Sequence, residues 1–464
     1  MNVKTIRGLL LLILGMTLIK GLIYSIVIPF DRAPDEDFYF RQIKAKQLQL
    51  NQASDAEKQQ VAVEAERTWY SLVNWGNTRE RPLKDFAHAK LPGAPSSFKP
   101  YVGNNDIYYL VMAQVLNVLN LDSIRTEIYL ARGFSILLGV GIVFLAFLVA
   151  RELFLNTPFL LIGIPLFIAL IPQFSAMNGS CNSDKLAEFL ASLFFWLMVK
   201  VCKYGMKVHL VTGAFLIMGA TVLSKRTTTF VLPLLVLVVF VYFWKWTIGI
   251  RMHLVLFVSG AILVLGGYAL LWNEWFYTLV SENIIWLPPV EDLKNYLFRP
   301  ELFTLDSVKF YAKFFILLHW SFWGLFGYMT IHLHHFWYIG AALFQGVAIF
   351  GLMKSIVRVR HKRIMPERWV AKTLYLMAVS IVLVVAIMFI RSVLLRDVPF
   401  LGQGRRLFVV IIPISVLTML GLENVFPPKY QKALECLMIV GFTILDVVCL
   451  SNYLLLHFYG IAFF

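Results

Sequence analysis

Long runs of apolar positions alternate along this chain with short polar loops. The runs lack the one-faced stripe that a helix facing water carries. A helix crossing a bilayer needs about 20 mostly apolar residues. Runs of that kind predict spans at Leu9–Phe30, Arg125–Val149, Pro158–Phe174, Lys185–Val199, Leu210–Leu223, Thr228–Trp244, Met252–Trp272, Phe336–Met353, Thr373–Ser392, Leu407–Val425 and Ala433–Leu456. The fold class is therefore an all-α polytopic membrane protein, a single domain over 1–464 with about 11 transmembrane helices. Two further apolar stretches read instead as interfacial helices. Ile107–Leu121 is short and bounded by Asn104, Asn105, Asp106 and Asp122, and Val308–Met329 is interrupted by Lys309, Lys313, His319 and Gly324.

Charge then orients the threading. Treating those two stretches as interfacial places Lys4/Arg7, Arg151, Lys200/Lys203/Lys207, Lys245/Arg251, the run Lys354–Lys372 and Lys429/Lys432 all on one side. By the positive-inside rule that side is cytoplasmic, with the N-terminus, in a plasma (inner) membrane. Leu9–Phe30 follows a short basic start, but it exceeds a usual signal-peptide core and no small-residue cleavage site follows, so it reads as a retained first span. Residues 31–124 become a long first outer loop with a polar helical stretch at Asp55–Tyr70 and a turn-rich segment from Leu91 to Ser97. A second outer loop over 273–335 holds Trp275, Trp286, Pro288 and Pro289 and ends in the interfacial helix.

Composition agrees: 59% of the 464 residues are hydrophobic and only 15% charged, where a water-soluble domain carries roughly a quarter. The net charge of +15 sits mostly between apolar segments, which fits orientation and anionic lipid rather than nucleic acid. The four cysteines are scattered without metal or disulfide spacing. No Walker, GxSxG, HExxH or dinucleotide-binding motif stands in a suitable context, which leaves ATP-driven transport and common hydrolase chemistry without support. His332, His334 and His335 cluster near an interface, at a spacing that is no metal signature.

Three polar clusters remain on the outer side. Pro34-Asp35-Glu36-Asp37 follows the first span; boundary carboxylates suit a general base or a cation ligand, and equally a helix start capped by Asp or begun by Pro. Asn178-Gly-Ser-Cys-Asn182-Ser-Asp184-Lys185 joins two spans. Asp184 there suits a metal or sugar hydroxyl, while Asn182 or Ser183 suits a helix cap. Arg391, Arg396, Arg405 and Arg406 crowd one outer loop against the positive-inside trend, joined by Lys225 and Arg226. Guanidinium forks there fit an anionic ligand such as phosphate, or snorkel to headgroups.

The order of these features resembles the GT-C superfamily of polyprenyl-phosphate-sugar-dependent membrane glycosyltransferases, a poorly characterised bacterial branch most closely. The resemblance rests on Pro34-Asp35-Glu36 after the first span, Asn105-Asp106-Ile107-Tyr108-Tyr109, Leu130-Ala-Arg132 and Ala150-Arg-Glu-Leu-Phe154. It continues with Ile171-Pro172-Gln173-Phe174, Asn182-Ser-Asp184, Ser321-Phe-Trp-Gly324 and Gln403-Gly-Arg405-Arg406-Leu-Phe408. It implies a GT-C-like fold with juxtamembrane helices in the first outer loop, a polyprenyl-phosphate sugar donor, and an acceptor glycan, lipid or protein in an outward-facing cavity of the cell envelope. Asp35 or Glu36 would be base or metal ligand. Arg405 or Arg406 would hold the lipid phosphate, with Arg396, Lys225 and Arg226 assisting. Asp184, Asn182, Asp106 and Lys99 would serve sugar or acceptor. The resemblance leaves the cofactor open, since family members differ in metal dependence; a divalent cation, if used, would fall to Asp35 and Asp184. Asn105-Asp106 departs from the two prolines common in the family. Two other classes compete: a lipid-linked oligosaccharide transporter or flippase using the same arginines, and a non-catalytic scaffold.

Overall fold

The computed structural model describes residues 2–54, 107–225, 228, 230–243, 305–362, 367–394 and 402–461, with a few positions between 56 and 64. The predicted span Met252–Trp272, most of Asp55–Tyr70, and site candidates Lys99, Asp106, Arg226 and Arg396 lie outside these residues.

Helix α1 (Val3–Val27) leads through a polar turn to α2 (Glu36–Leu50), and after α3 (Ile107–Leu119) comes the long α4 (Ile124–Phe154). Next are α5 (Pro158–Leu170), α6 (Pro172–Asn178), α7 (Asp184–Tyr204), α8 (Val208–Ser224) and α9 (Val231–Phe243). Helix α10 (Leu305–Trp323) runs into a two-stranded ribbon, β1 (Leu325–Phe326) with β2 (Ile331–His332), and then α11 (His335–Lys362) and α12 (Arg368–Leu394). A 3-10 turn (Gly404–Val410) opens α13 (Ile411–Val425). Finally α14 (Pro428–Val448) continues through a π-helical turn (Cys449–Leu455) into α15 (Leu456–Tyr459).

The chain is thus a predominantly helical, membrane-embedded protein. Among the described residues six helices are long and apolar enough to cross a bilayer, or seven with one bent pair. They lie at Lys4–Val27, Ile124–Phe154, His335–Arg358, Arg368–Ser392, Gly404–Val425 and Pro428–Tyr459. The bent pair corrects one expectation: Pro158–Phe174 is not a single straight span, because α5 and α6 meet at 65° around Ile171. Pro172 supplies no backbone N–H to continue the ladder, so the axis turns there. The stretch Val308–Met329 is corrected too. Its helix ends at Trp323, and the remainder forms the ribbon, whose tip places Gly327, Tyr328 and Met329 at positive φ. The expected spans at Lys185–Val199 and Leu210–Leu223 are helices α7 and α8. The first carries five charged residues and the second is 17 residues long, so neither is counted among the six.

Packing divides the interior in two. A large apolar core binds α1, α4–α7 and the later helices, with Phe167, Trp323, Phe344 and Phe442 in one cluster of edge-on and stacked rings. Helices α11 and α13 approach so closely that a Cβ at Gly351 would strike the Gly421 carbonyl, and one at Gly421 the Ala348 carbonyl, as expected where bilayer helices pack through small residues. A second, smaller core (Tyr39, Phe40, Ile43, Tyr108, Met112, Leu116 and Ile128 among others) holds α2 and α3 against the start of α4. Those two helices have 15 and 13 residues, too short to span, and they bury one face while Lys44 of α2 pairs with Glu127 of α4 at 2.8 Å.

Hydrogen bonds place the polar clusters at one end of this bundle and much of the basic loop charge at the other. At the basic end, Lys203 pairs with Glu152 and lies over the Trp369 ring, joining the C-termini of α4 and α7 to the start of α12. The other end gathers the C-termini of α1 and α8, the N-termini of α2, α4 and α7, and the 3-10 turn.

Candidate functional site

The loop after α1 sets the site. Asp31 and Asp35 both sit at φ 63°, a left-handed conformation that Asp adopts at modest cost and that recurs where geometry serves function. Asp35 occupies the N-cap position of α2, yet its side chain makes no capping bond. The left-handed turn instead swings its carboxylate across the bundle to accept a hydrogen bond from Arg405 Nη2 at 2.6 Å, a contact between residues 370 positions apart.

Arg405 is aimed by its own turn. The Gly404 N–H donates to Ser321 Oγ at 2.6 Å, and a Cβ on Gly404 would collide with the backbone of Leu318 and Phe322. Only glycine lets the 3-10 turn lie this close to α10. From there the Arg405 guanidinium donates at three nitrogens: Nε to Gln403 Oε1 at 3.0 Å, Nη1 to the Pro34 carbonyl at 3.2 Å, and Nη2 to Asp35. Thus Ser321-Phe-Trp-Gly324, Gln403-Gly-Arg405 and Pro34-Asp35, far apart in sequence, touch one another. Gln173 joins them, its Oε1 accepting from the Leu325 N–H at 2.9 Å.

Glu36 faces the opposite way. Its side chain is wholly buried and accepts from Arg132 Nε and Nη2, both at 2.8 Å, from the Cys181 N–H at 2.8 Å and from the Asp31 N–H at 3.1 Å. Arg132 Nη1 also donates to the Ser25 and Ile28 carbonyls, groups that the end of α1 leaves unpaired. Glu36 therefore ties α1, α2, α4 and the Asn178–Asp184 loop together, with no room for a substrate proton. Of the three carboxylates that the sequence leaves as alternatives, Glu36 is buried, Asp37 pairs with Arg41 on its own helix at 2.8 Å, and Asp35 is the most accessible.

Lys225, at the end of α8, forms an ion pair with Asp184 and donates to Tyr39 Oη at 3.1 Å. Asn182 caps locally, its Oδ1 accepting from the Asp184 N–H at 2.9 Å. Arg406 lies beside Arg405 and Arg391, interacting electrostatically with both, and with Asp35 and Tyr39. The structure thus gathers Asp35, Asp184, Lys225, Arg405 and Arg406 into one polar group, with Tyr39 at its base.

Electrostatics separates the acids. Burial works to raise Asp35, but the adjacent Arg405 guanidinium, backed by Lys225 and Arg406, overrides it and holds the carboxyl below its ordinary range. Asp31 shows the reverse: burial pushes it up to about 6, against the Tyr328 hydroxyl that donates to its Oδ1 at 2.8 Å. Burial likewise raises the Tyr39 phenol, which stays neutral. Asp31 and Tyr328 are site members that sequence reasoning missed. Asp31 ends a span and reads as boundary punctuation, and Tyr328 sits in a stretch expected to be helical.

Among the described residues no group of three or more His, Cys, Asp or Glu side chains could hold a metal ion. Asp35 and Asp184, the acids named for a cation, are each paired with a basic side chain, so the arrangement does not fit a divalent ion. The three histidines stay near one another, His332 and His335 against the Trp320 ring and His334 beside His335, with His334 Nδ1 accepting from the Phe336 N–H.

No protein-family model matches the chain, and a search of curated proteins finds no relative. The chain thus stands on its own residues as a helical membrane protein with an acid–arginine site at one end of its bundle.

Proposed function

We propose that this protein is a membrane glycosyltransferase of GT-C type that moves a sugar from a polyprenyl-phosphate donor to an acceptor at the outer face of the membrane. The observation that carries this reading is the Asp35–Arg405 pair, half of it accessible, set among Lys225, Asp184 and Arg406 at one end of an apolar bundle. Displacing a sugar from phosphate needs charge stabilisation for the leaving group and an acceptor for the hydroxyl proton, and the two halves of this cluster have the matching chemistry. That Pro34-Asp35-Glu36, Arg132, Gln173, Ser321–Gly324 and Gln403-Gly-Arg405, which carry part of the sequence resemblance, lie together at this end adds support, because a scaffold has no need to bring them together.

In the proposed step the acceptor hydroxyl attacks the anomeric carbon as the bond from that carbon to the phosphate oxygen breaks. The electron pair leaves with the phosphate, and the hydroxyl proton passes to Asp35, inverting the configuration. Arg405 keeps Asp35 ionised and oriented. Lys225 and Arg406 supply positive charge for the lipid phosphate, a role proposed for Arg226 and Arg396 as well. Asp184 and Asn182, with Asp106 and Lys99, are left to sugar and acceptor. Tyr39, its phenol kept neutral by burial, accepts a hydrogen bond from Lys225 and so helps to hold that cation.

The test is transfer by purified protein given a panel of polyprenyl-phosphate sugars, beside Asp35→Asn. Loss of about 100- to 10,000-fold in turnover, with the thermal midpoint unchanged, is the expected result for a general base. Full activity in the variant overturns the assignment. Donor binding without product across the panel points to transport.

A further inference from the structure

Among the described residues six that are not glycine adopt positive φ. Gln52 and Asn120 do so just past the ends of α2 and α3, where a helix commonly turns left-handed. The other four, Asp31, Asp35, Tyr328 and Met329, gather on the two sides of one contact, the hydrogen bond from Tyr328 Oη to Asp31 Oδ1. Neither side is an ordinary helix end, since Asp31 stands beyond Ile28, the C-cap of α1. The ribbon tip needs left-handed residues to reverse, and glycine, asparagine or aspartate serve there at least cost. Here Gly327 is followed by Tyr328 and Met329, bulky residues in a conformation they rarely adopt. Strain of this kind persists only where the surroundings over-determine it, and it clusters at functional sites.

Each bulky residue does something a smaller one could not: Met329 is buried, and Tyr328 reaches Asp31. The ribbon is a firm arm for that reach. The Leu325 N–H donates to Gln173 of α6, and the Leu333 N–H to the Tyr338 hydroxyl, which itself donates to the Gly324 carbonyl. The His334 N–H donates to Tyr453 of the π-helical turn, and Phe326 lies against the Tyr24 ring of α1. Burial, then the charges of Asp31, Asp35 and Asp37, raise the Tyr328 phenol, so its hydroxyl stays protonated and is the donor. On the other side, Asp31 and Asp35 begin and end one turn. Its start is held by Tyr328 at the Asp31 carboxylate and by Glu36, which accepts from the Asp31 N–H. Its end is held by Arg405 at the Pro34 carbonyl and the Asp35 carboxylate.

We propose that Tyr328 is a positioning residue: braced by the ribbon, its hydroxyl pins Asp31 and so keeps the turn from Asp31 to Asp35 in the left-handed form that aims Asp35 at Arg405. Burial pushes Asp31 up to about 6, so at pH 7.5 it is ionised and the phenol meets a charged acceptor, a stronger partner than a neutral one. Without that bond the start of the turn is free to leave its strained conformation, and Asp35 loses its fixed aim. The effect on turnover rests on the glycosyl-transfer reading, whereas the hold on the turn does not.

The experiment is hydrogen–deuterium exchange on the full-length protein in nanodiscs at pH 7.5, beside Tyr328→Phe, which deletes only the hydroxyl. Amides from Asp31 to Glu36 are expected to exchange about fivefold faster in that variant, the loss of one hydrogen bond. The segments around Arg132 and Cys181, which Glu36 holds separately, should keep their wild-type rates. Asp31→Ala should match Tyr328→Phe, and Asp31→Asn, which keeps an acceptor oxygen, should fall between Asp31→Ala and wild type. In the transfer assay Tyr328→Phe should lower turnover by about tenfold while the donor KM stays within about twofold, as misplacement of a base does. Unchanged exchange from Asp31 to Glu36 overturns the role of Tyr328. So does faster exchange that spreads equally to the Arg132 and Cys181 segments, which marks general loosening, and so does full turnover despite a loosened turn. Exchange that depends on Tyr328 and Asp31 as expected, in a protein that transfers sugar from no donor, supports the hold on the turn and sinks the glycosyltransferase reading alone.

Discussion

The Glu36 and Arg132 side chains are 0% and 2% exposed, whereas those of Asp35 and Arg405, beginning one residue earlier, are 49% and 8% exposed. Both are acid–arginine pairs between distant segments. In the first, the carboxylate accepts from two guanidinium nitrogens and two backbone N–H groups, and the arginine's remaining donors satisfy the open carbonyls of α1. In the second, the carboxylate takes one bond from a guanidinium and half of it faces outward. The first network is complete and has nothing left to offer a ligand; the second is held in shape and still open. Burial alone would single out Glu36 as the unusual acid, yet chemistry needs the incomplete neighbour. The complete pair builds the wall on which the open pair stands.

Substitutions can break that contrast, beginning with the wall. Glu36→Gln leaves Arg132 as a buried, uncompensated charge, which costs about 3–5 kcal/mol. The expected outcome is a large fall in thermal midpoint in detergent, with activity lost alongside it. Adding Arg132→Met removes the stranded charge and should recover part of the stability. An unchanged midpoint in Glu36→Gln would contradict the structural role.

Gly404→Ala should come next. Its Cβ has no room against Leu318 and Phe322, so the turn must lift off α10, at a cost of about 1–3 kcal/mol for an overpacked site. Because the same turn aims Arg405, turnover should fall more than stability does. Asp35→Asn, by comparison, neutralises a half-exposed carboxylate while Arg405 keeps its bonds to Gln403 and Pro34, and should shift stability by no more than about 1 kcal/mol. Activity then falls with the fold intact, the opposite of Glu36→Gln.

The smallest effect sharpens the contrast through pH. Asp31 has a folded value of about 6, above its ordinary 3.8, so the fold favours its protonated form. Its stabilising contribution is fully present below 3.8 and is lost as pH rises through about 6. Across that window the midpoint of the wild type should decline relative to Asp31→Asn. Tyr328→Phe removes a hydrogen bond to the ionised carboxylate, so it should move the decline to higher pH, an effect of about 1 kcal/mol or less. A parallel course for wild type and Asp31→Asn would remove Asp31 from the titrating set.

The long apolar runs determined that this chain is helical and embedded in a membrane, because a bilayer leaves the backbone few other ways to satisfy its N–H and carbonyl groups. They determined α1, α4, α11, α12, α13 and α14 to within several residues. They also gave the polarity of the Asp35, Asp184 and Arg405 segments, because charges at helix ends stand out against such a background. Hydropathy could not show the 65° break between α5 and α6 or the ribbon after Trp323, since an apolar stretch has the same composition bent or straight. Nor could it tell Asp35 from Glu36. One left-handed residue rotates the first outward and lets the second reach Arg132, and rotation about a backbone bond leaves no mark in the order of side chains. The tertiary structure alone decided which arginine meets Asp35, because pairing over 370 positions depends on how helices pack.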